Sequence, residues 1–333
     1  MGARGTLTQS DEYWHDPVSD APGARESYYF DFYDPDAGLS GYTSIGYRHN
    51  KGYMGAITAL LDEGGSYVRK AYGRPTDDES IGVDGVLYRP IDPLQEWRVQ
   101  ELGAINRFDH DAHAKLKLGP DDLPHREDPI LSFRMDLTFT GLVDPYDYYT
   151  EADDSEMAVI SPLYDRHYEQ PCAVTGEVSI GDRTYHVQGH GDRDHSWGTR
   201  RWVDIGSWDW FAVVFDDDTM VSCIEVDNDS GTSVDGFLVA DDETHAVTEM
   251  EMDRSVTVRA DDFAYRVTDA AGRELRGTAY VDGVLPVEFE AGDRTSEVRR
   301  CPTTFERESG ARGHGWSDYQ RNGGGVIAES DIA

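Results

Sequence analysis

The sequence predicts an all-β fold in two domains, and three observations carry that reading. Turn signals recur at short intervals, as at Asp34-Pro35-Asp36, Asn50-Lys51-Gly52, Asp62-Glu63-Gly64-Gly65, Asp84-Gly85, Gly181-Asp182 and Asp282-Gly283. The runs between them are rich in β-branched and aromatic residues. Helical periodicity is weak throughout. A strand every ~8–12 residues favours sandwiches or barrels over alternating strand–helix units.

The strand candidates follow in chain order. In the first half they are 27–33, 42–47, 53–61 and 131–140. The last of these alternates as Leu131-Ser132-Phe133-Arg134-Met135-Asp136-Leu137-Thr138-Phe139, the pattern of a half-buried antiparallel strand. The tract 155–170 reads as a short helical or irregular connection. Further strands follow at 173–180, 208–215, 220–226, 236–239 and 255–259, and His314 to Arg321 reads as a closing strand. The polar, acidic stretch Asp144 to Asp154 separates two strand-rich halves, which gives domains at 1–160 and 161–333 that pack side by side.

Charge narrows the function classes. The chain has 333 residues with 65 acidic against 30 basic, a net charge of −35 that repels nucleic-acid phosphates and anionic lipid. The acids are dispersed, and Lys51, Lys70, Lys115 and Lys117 are the only lysines. That surface resembles a halophilic, haloarchaeal protein, whose self-repulsion high salt screens. Cys172, Cys223 and Cys301 have no close spacing and suggest neither a disulfide framework nor a thiolate zinc site. With no apolar leader in residues 1–20 and no run of transmembrane length, a soluble cytoplasmic protein is expected, with at most transient membrane contact for substrate.

Gly189 to Trp202, GHGDRDHSWGTRRW, concentrates ionisable and aromatic residues between strand-like flanks. Such a mixture points to a polar cluster in an apolar setting, where perturbed pKa values and chemistry occur. On a regular strand His186, Gln188, His190, Asp192 and Asp194 share one face, and Arg193, His195 and Trp197 the other. One reading is acid–base chemistry by an Asp/His/Arg cluster. A second is a metal site of His186, His190 and Asp192 or Asp194, although the spacing matches no metalloenzyme signature. A third is structural, an Asp–Arg pair bracing strands. His167-Tyr168-Glu169-Gln170-Pro171 is extended, because the residue before proline avoids the α region. No phosphate loop, dinucleotide fingerprint, Gly-x-Ser-x-Gly elbow or HEXXH is present.

The Glu169-bearing segment, then Gly189-His190-Gly191-Asp192-Arg193-Asp194-His195-Ser196-Trp197-Gly198-Thr199-Arg200, resembles the hydroxyneurosporene synthase-like family. That family includes carotenoid 1,2-hydratases and AttH-type lipocalin-like proteins. Arg25-Glu26-Ser27-Tyr28-Tyr29-Phe30 and Gly313-His314-Gly315-Trp316 fit it too. The resemblance implies two lipocalin-like (calycin) β-barrel domains and a hydrophobic, isoprenoid or carotenoid substrate. The reaction implied is acid-initiated hydration or cyclisation, of the lyase or isomerase type, with no cofactor and no metal.

Hydrating an alkene needs a carboxylic acid kept protonated by an apolar setting, and aromatic faces for the cation. Asp194 is the expected acid, with His195 or His190 tuning it or handling water. Trp197, Arg200, Glu169, Tyr28, Trp208, Trp210 and Trp316 are the expected substrate contacts. The rival classes are a non-catalytic carrier of a lipid-like or terpenoid ligand and the metal-dependent enzyme above.

Overall fold

The computed structural model describes residues 7–15, 23–74, 81–108, 116–117, 129–148, 154–199, 205–254, 261–291 and 294–322. The fold is almost entirely β, as the sequence predicts. In chain order the first strands are β1 (Ala24–Asp34), β2 (Leu39–Arg48), β3 (Tyr53–Asp62), β4 (Gly65–Gly73), β5 (Ile81–Val83), β6 (Val86–Asp92), β7 (Glu96–Phe108) and β8 (Leu116–Lys117). They continue as β9 (Ile130–Gly141), β10 (Tyr146–Asp147), β11 (Arg166–Ile180) and β12 (Arg183–Thr199). Then come β13 (Ser207–Phe215), β14 (Met220–Asn228), β15 (Gly231–Ala240), β16 (Glu243–Asp253) and β17 (Phe263–Asp269). The last are β18 (Glu274–Val281), β19 (Leu285–Ala291), β20 (Arg294–Arg300), β21 (Pro302–Arg307) and β22 (Arg312–Asn322). One short helix, α1 (Asp154–Ile160), occupies the start of the predicted 155–170 connection.

The chain divides into two compact units. The first comprises Met1–His110, Leu123–Thr150 and Tyr164–Arg200; the second comprises Asp111–Asp122, Glu151–Leu163 and Arg201–Ala333. The hairpin β11–β12 hydrogen-bonds to β9 and β1 of the first unit, although it lies beyond residue 160 in sequence.

In the first unit the pairings run β11–β12–β1–β2–β3–β4–β7–β9 and return to β11, because β9 pairs both β7 and β11. Closure leaves this ring without free edges. Its interior is aromatic: Tyr28, Phe30, Phe32, Tyr88, Trp97, Phe133 and Phe139 are all buried. Phe30 meets Phe139 edge to face at 4.9 Å. Strand β9 buries Phe133, Met135, Leu137 and Phe139 and leaves the residues between them less buried, the alternation read from the sequence. Truncating one such ring to alanine costs about 3–5 kcal/mol.

In the second unit β13–β14–β15–β16–β17–β18–β21–β22 closes through a β13–β22 pairing. Its interior includes Phe211, Val213, Phe215, Tyr265 and Phe305, with Phe211 stacked on Phe305 at 5.4 Å.

Candidate functional site

The site grows from strand alternation in the first unit. β12 lies between β1 and β11, so His195 stands opposite both Tyr28 and Tyr168, and Arg193 opposite Phe30 and Gln170. Successive side chains take opposite faces. Glu26, Tyr28, Tyr168, Gln170, Arg193, His195 and Trp197 therefore turn into the barrel. Asp31, His167, Glu169, Asp192 and Asp194 turn outward. Gly191 makes the approach of β12 to β1 feasible: a Cβ there would stand 1.9 Å from the carbonyl oxygen of Asp31. Gly181 takes φ 60°, the left-handed value that the tight β11–β12 turn favours at glycine.

The inward face holds a buried polar cluster that the N-terminal segment completes. Gln9–Glu12 forms a 3-10 turn, and Asp11 accepts from the Thr8 amide at 2.7 Å and the Thr8 hydroxyl at 2.6 Å. This places Glu12 among the inward side chains, where it is 0% exposed. Glu12 Oε1 accepts from the Tyr168 hydroxyl at 2.6 Å and lies 3.1 Å from Arg193 Nη2, while Oε2 accepts from Trp97 Nε1. Burial works to raise the Glu12 carboxyl, but Arg193, Tyr168 and Trp97 outweigh it and hold it below its ordinary value. Arg193 also donates through Nε to Gln170 Oε1 at 2.8 Å, and its guanidinium lies over the rings of Trp97 and Tyr168.

Beside it stands Glu26. Its Oε1 lies 2.8 Å from His195 Nε2 and 2.8 Å from His15 Nδ1, and its Oε2 lies 3.4 Å from His49 Nε2. Burial favours the neutral acid, but contacts with the three imidazoles prevail and hold Glu26 well below the usual carboxylate range. His195 Nδ1 faces the Asp11 carbonyl oxygen at 2.8 Å. Both ring nitrogens thus meet oxygen atoms, Glu26 Oε1 on one side and the Asp11 carbonyl on the other. The rings are clamped by stacking: Tyr28 on His195 at 3.9 Å and Trp197 on His15 at 4.0 Å.

The outward face carries a cluster of opposite character. Asp31, Glu169 and Asp192 are each at most 3% exposed, with Asp194 partly exposed beside them. The Asp192 amide donates to Asp31 Oδ1 at 2.9 Å. Among the described residues neither Asp192 carboxyl oxygen has a hydrogen-bond partner. Burial, then the charges of Glu169, Asp31 and Asp194, push the Asp192 carboxyl well above its ordinary value, and Arg193 offsets this only in part. Burial and these neighbouring charges thus favour the neutral form of the Asp192 carboxyl. Next to it, the Tyr148 hydroxyl donates to Glu169 Oε2 at 2.6 Å, and His167 Nε2 lies 3.3 Å from Glu169 Oε1. Tyr148 stacks on the His167 ring at 4.7 Å.

The structure separates several residues that the sequence put together. His195 and Asp194 face opposite sides of β12, so His195 does not touch the expected acid. Asp194 shares its face with Asp192, and His190 lies on that face but is exposed. His186 is also exposed and pairs with Glu177 at 3.1 Å, so the His186/His190/Asp set does not converge. Glu169 is in the outward cluster, and Tyr28 and Trp197 are in the inward one. Arg200 lies outside the described residues. Trp208, Trp210 and Trp316 belong to the second unit, on strand faces opposite Phe211 and Val213, and all three are buried. Trp208 Nε1 donates to Gln320 Oε1 at 2.8 Å. Sequence reasoning missed Glu12, His15 and Glu26. The one signal was Glu12-Tyr13-Trp14-His15-Asp16, which repeats the mixture of ionisable and aromatic residues seen at 189–202.

These barrels, with buried ionisable clusters on both faces of one strand, define a lipocalin-like all-β protein. The chain matches a domain of unknown function (DUF7064) over residues 8–323 and belongs to that family. No functionally curated protein matches it. Among solved structures it is similar to a protein provisionally assigned as AttH from Nitrosomonas europaea, at 14% identity and TM-score 0.58, covering 89% of this chain and 92% of that one. It is also similar to kievitone hydratase from Nectria haematococca, at 11% identity and TM-score 0.53, covering 94% and 92%. A third is CghA, at 12% identity and TM-score 0.51, covering 93% of each chain. These likenesses establish the fold. No helix among the described residues is long and apolar enough to cross a membrane.

Proposed function

We propose that this protein is a cofactor-independent enzyme that protonates a hydrophobic, isoprenoid-type substrate and directs the resulting cation to hydration or cyclisation. The observation that carries this reading is Asp192, a buried carboxyl whose oxygens have no hydrogen-bond partner among the described residues and whose neighbours are carboxylates. A carboxyl whose neutral form is favoured in this way can act as a proton donor. The names of kievitone hydratase and of CghA, whose structure with Sch210972 is also similar to this one, support a small-molecule reading.

The steps assign themselves to the outward cluster. The Asp192 carboxyl gives its proton to one alkene carbon, and the π pair forms the new C–H bond. The cation left on the other carbon would face Tyr148 and Tyr164, whose rings pack on His167, and Tyr29, which stands opposite Asp194 on β1, since π faces attract positive charge. In hydration, water attacks that carbon and its spare proton passes to the paired His167 and Glu169. In cyclisation, a second double bond takes the place of water and forms the new C–C bond, and the cation this leaves loses a proton from an adjacent carbon to the same His167–Glu169 pair. Asp192 replaces Asp194 as the donor, and Asp194 contributes negative charge that keeps Asp192 protonated.

The test uses lipid extracts from a strain lacking the gene and from its parent, compared by mass spectrometry. Adding purified protein to the deficient extract in D2O is expected to convert an accumulated species into one heavier by a water, or into an isomer, with deuterium fixed on carbon. Asp192→Asn is expected to fold and to leave the extract unchanged. A species bound by the protein but recovered unaltered, without carbon-bound deuterium, would make the protein a carrier and refute the reading.

A further inference from the structure

We propose that His15, Glu26 and His195 bind one divalent transition-metal ion of the zinc class, which fastens the N-terminal segment to the wall of the first barrel. Their donor atoms all lie within 4.8 Å of one another, and among the described residues this is the one group of three or more such side chains so placed. Each comes from a different stretch of chain. His15 ends the segment that carries Glu12, Glu26 is on β1 and His195 is on β12.

The donor set is chemically apt. Two imidazoles and a carboxylate suit zinc, copper, iron or nickel, and no thiolate takes part. His15 Nδ1 and His195 Nε2 each lie 2.8 Å from the same carboxylate oxygen. Around a zinc ion with bonds of about 2.0–2.2 Å, tetrahedral donors stand roughly 3.3 Å apart. The rings therefore need to move back by only about 0.5 Å once the protons between them leave.

The surroundings match what a metal-ligating histidine needs. Such a ring holds its other nitrogen on a carbonyl or carboxylate, which fixes its orientation. His195 Nδ1 meets the Asp11 carbonyl oxygen at 2.8 Å, and His15 Nε2 meets Asp11 Oδ1 at 3.4 Å. One residue, Asp11, thus supports both rings, while Tyr28 and Trp197 stack on them. His49 Nε2, 3.4 Å from Glu26 Oε2, supplies a further donor at the rim. The His15 side chain is 23% exposed against 0% for His195 and 3% for Glu26, so the ion has a path from solvent on the His15 side. The site lies on the opposite face of β12 from Asp192, and it stands or falls independently of the proposed reaction.

The test is to express the full chain without a polyhistidine tag, strip it with a chelator and titrate it with cobalt(II) chloride. The expected result is one Co2+ per chain, visible d–d absorption of low-symmetry nitrogen–oxygen coordination, and a melting temperature that climbs with cobalt concentration. His15→Gln is expected to fold and to lose the absorption and the stoichiometric binding, and Glu26→Gln to do the same. His186→Gln, at an exposed imidazole, is expected to keep both. Absence of stoichiometric binding by the wild-type chain at millimolar cobalt overturns the proposal, as does unchanged binding in His15→Gln.

Discussion

Arg193 Nη2 lies 3.1 Å from Glu12 Oε1, and these side chains are 1% and 0% exposed. The pair joins β12 to a residue 181 positions away in sequence, in the N-terminal segment. Removing one partner of such a pair leaves a buried charge unmatched and costs about 3–5 kcal/mol, whereas replacing both by apolar groups costs far less. Glu12→Gln should therefore lower the urea midpoint markedly. Glu12→Leu combined with Arg193→Met should recover much of the loss. A Glu12→Gln loss below ~1 kcal/mol would mean that the segment is not anchored there.

Asp192 sets the second expectation. If it donates the proton, turnover is lost as pH rises through its elevated pKa, because only the protonated form acts. Asp194 is one of the charges that raise that pKa. Asp194→Asn should keep substantial activity at acid pH and move the alkaline limb of the rate profile to lower pH. Asp192→Asn should remove activity at every pH. An Asp194→Asn profile that overlays the wild type would show that the two carboxyls do not communicate.

In the second unit Asp318 is 1% exposed, with Arg300 Nη1 at 2.6 Å and the Cys301 amide at 3.2 Å. Burial still wins over these partners and pushes its carboxyl up to about 6. The folded chain then binds more protons at this group than the unfolded chain between pH ~4 and ~6, so its contribution to stability falls as pH rises across that window. Asp318→Asn, which cannot ionise, should gain on the wild type by on the order of 2–3 kcal/mol between pH 4 and pH 7. Chemical unfolding of both proteins at the two pH values measures the difference. A constant difference would contradict the elevated value.

The sequence carried the fold because its signals were local. Turn residues and the period of two along Leu131–Phe139 need no knowledge of partners, and strand alternation alone separates Asp192 and Asp194 from Arg193 and His195. What it could not carry was long-range pairing. Nothing local assigns the β11–β12 hairpin to β1 and β9, and nothing near His195 points to Glu26 or His15, which lie 169 and 180 positions away. The choice between two carboxyls is hidden for a related reason. Asp192 and Asp194 have the same side chain on the same face, and only the burial of Asp192 beside Asp31 and Glu169, which nothing local encodes, raises its carboxyl.

The contact of β12 with β1 at Gly191 gives the last expectation. A Cβ at Gly191 would lie 1.9 Å from the Asp31 carbonyl oxygen and 3.0 Å from Phe32 Cα, both backbone atoms that cannot turn aside. Gly191→Ala must therefore separate the strands, at a cost of about 3 kcal/mol or more. It must also pull the Asp192 amide from Asp31 Oδ1, which it meets at 2.9 Å, so turnover should fall further than stability accounts for. Gly38 is the matched control: it has φ 66° but nothing within 4 Å of a Cβ. Gly38→Ala should cost only the left-handed strain of about 1–2 kcal/mol and leave turnover intact. Equal urea midpoints and equal turnover for the two variants would show that the close approach at Gly191 neither holds the barrel wall nor positions Asp192.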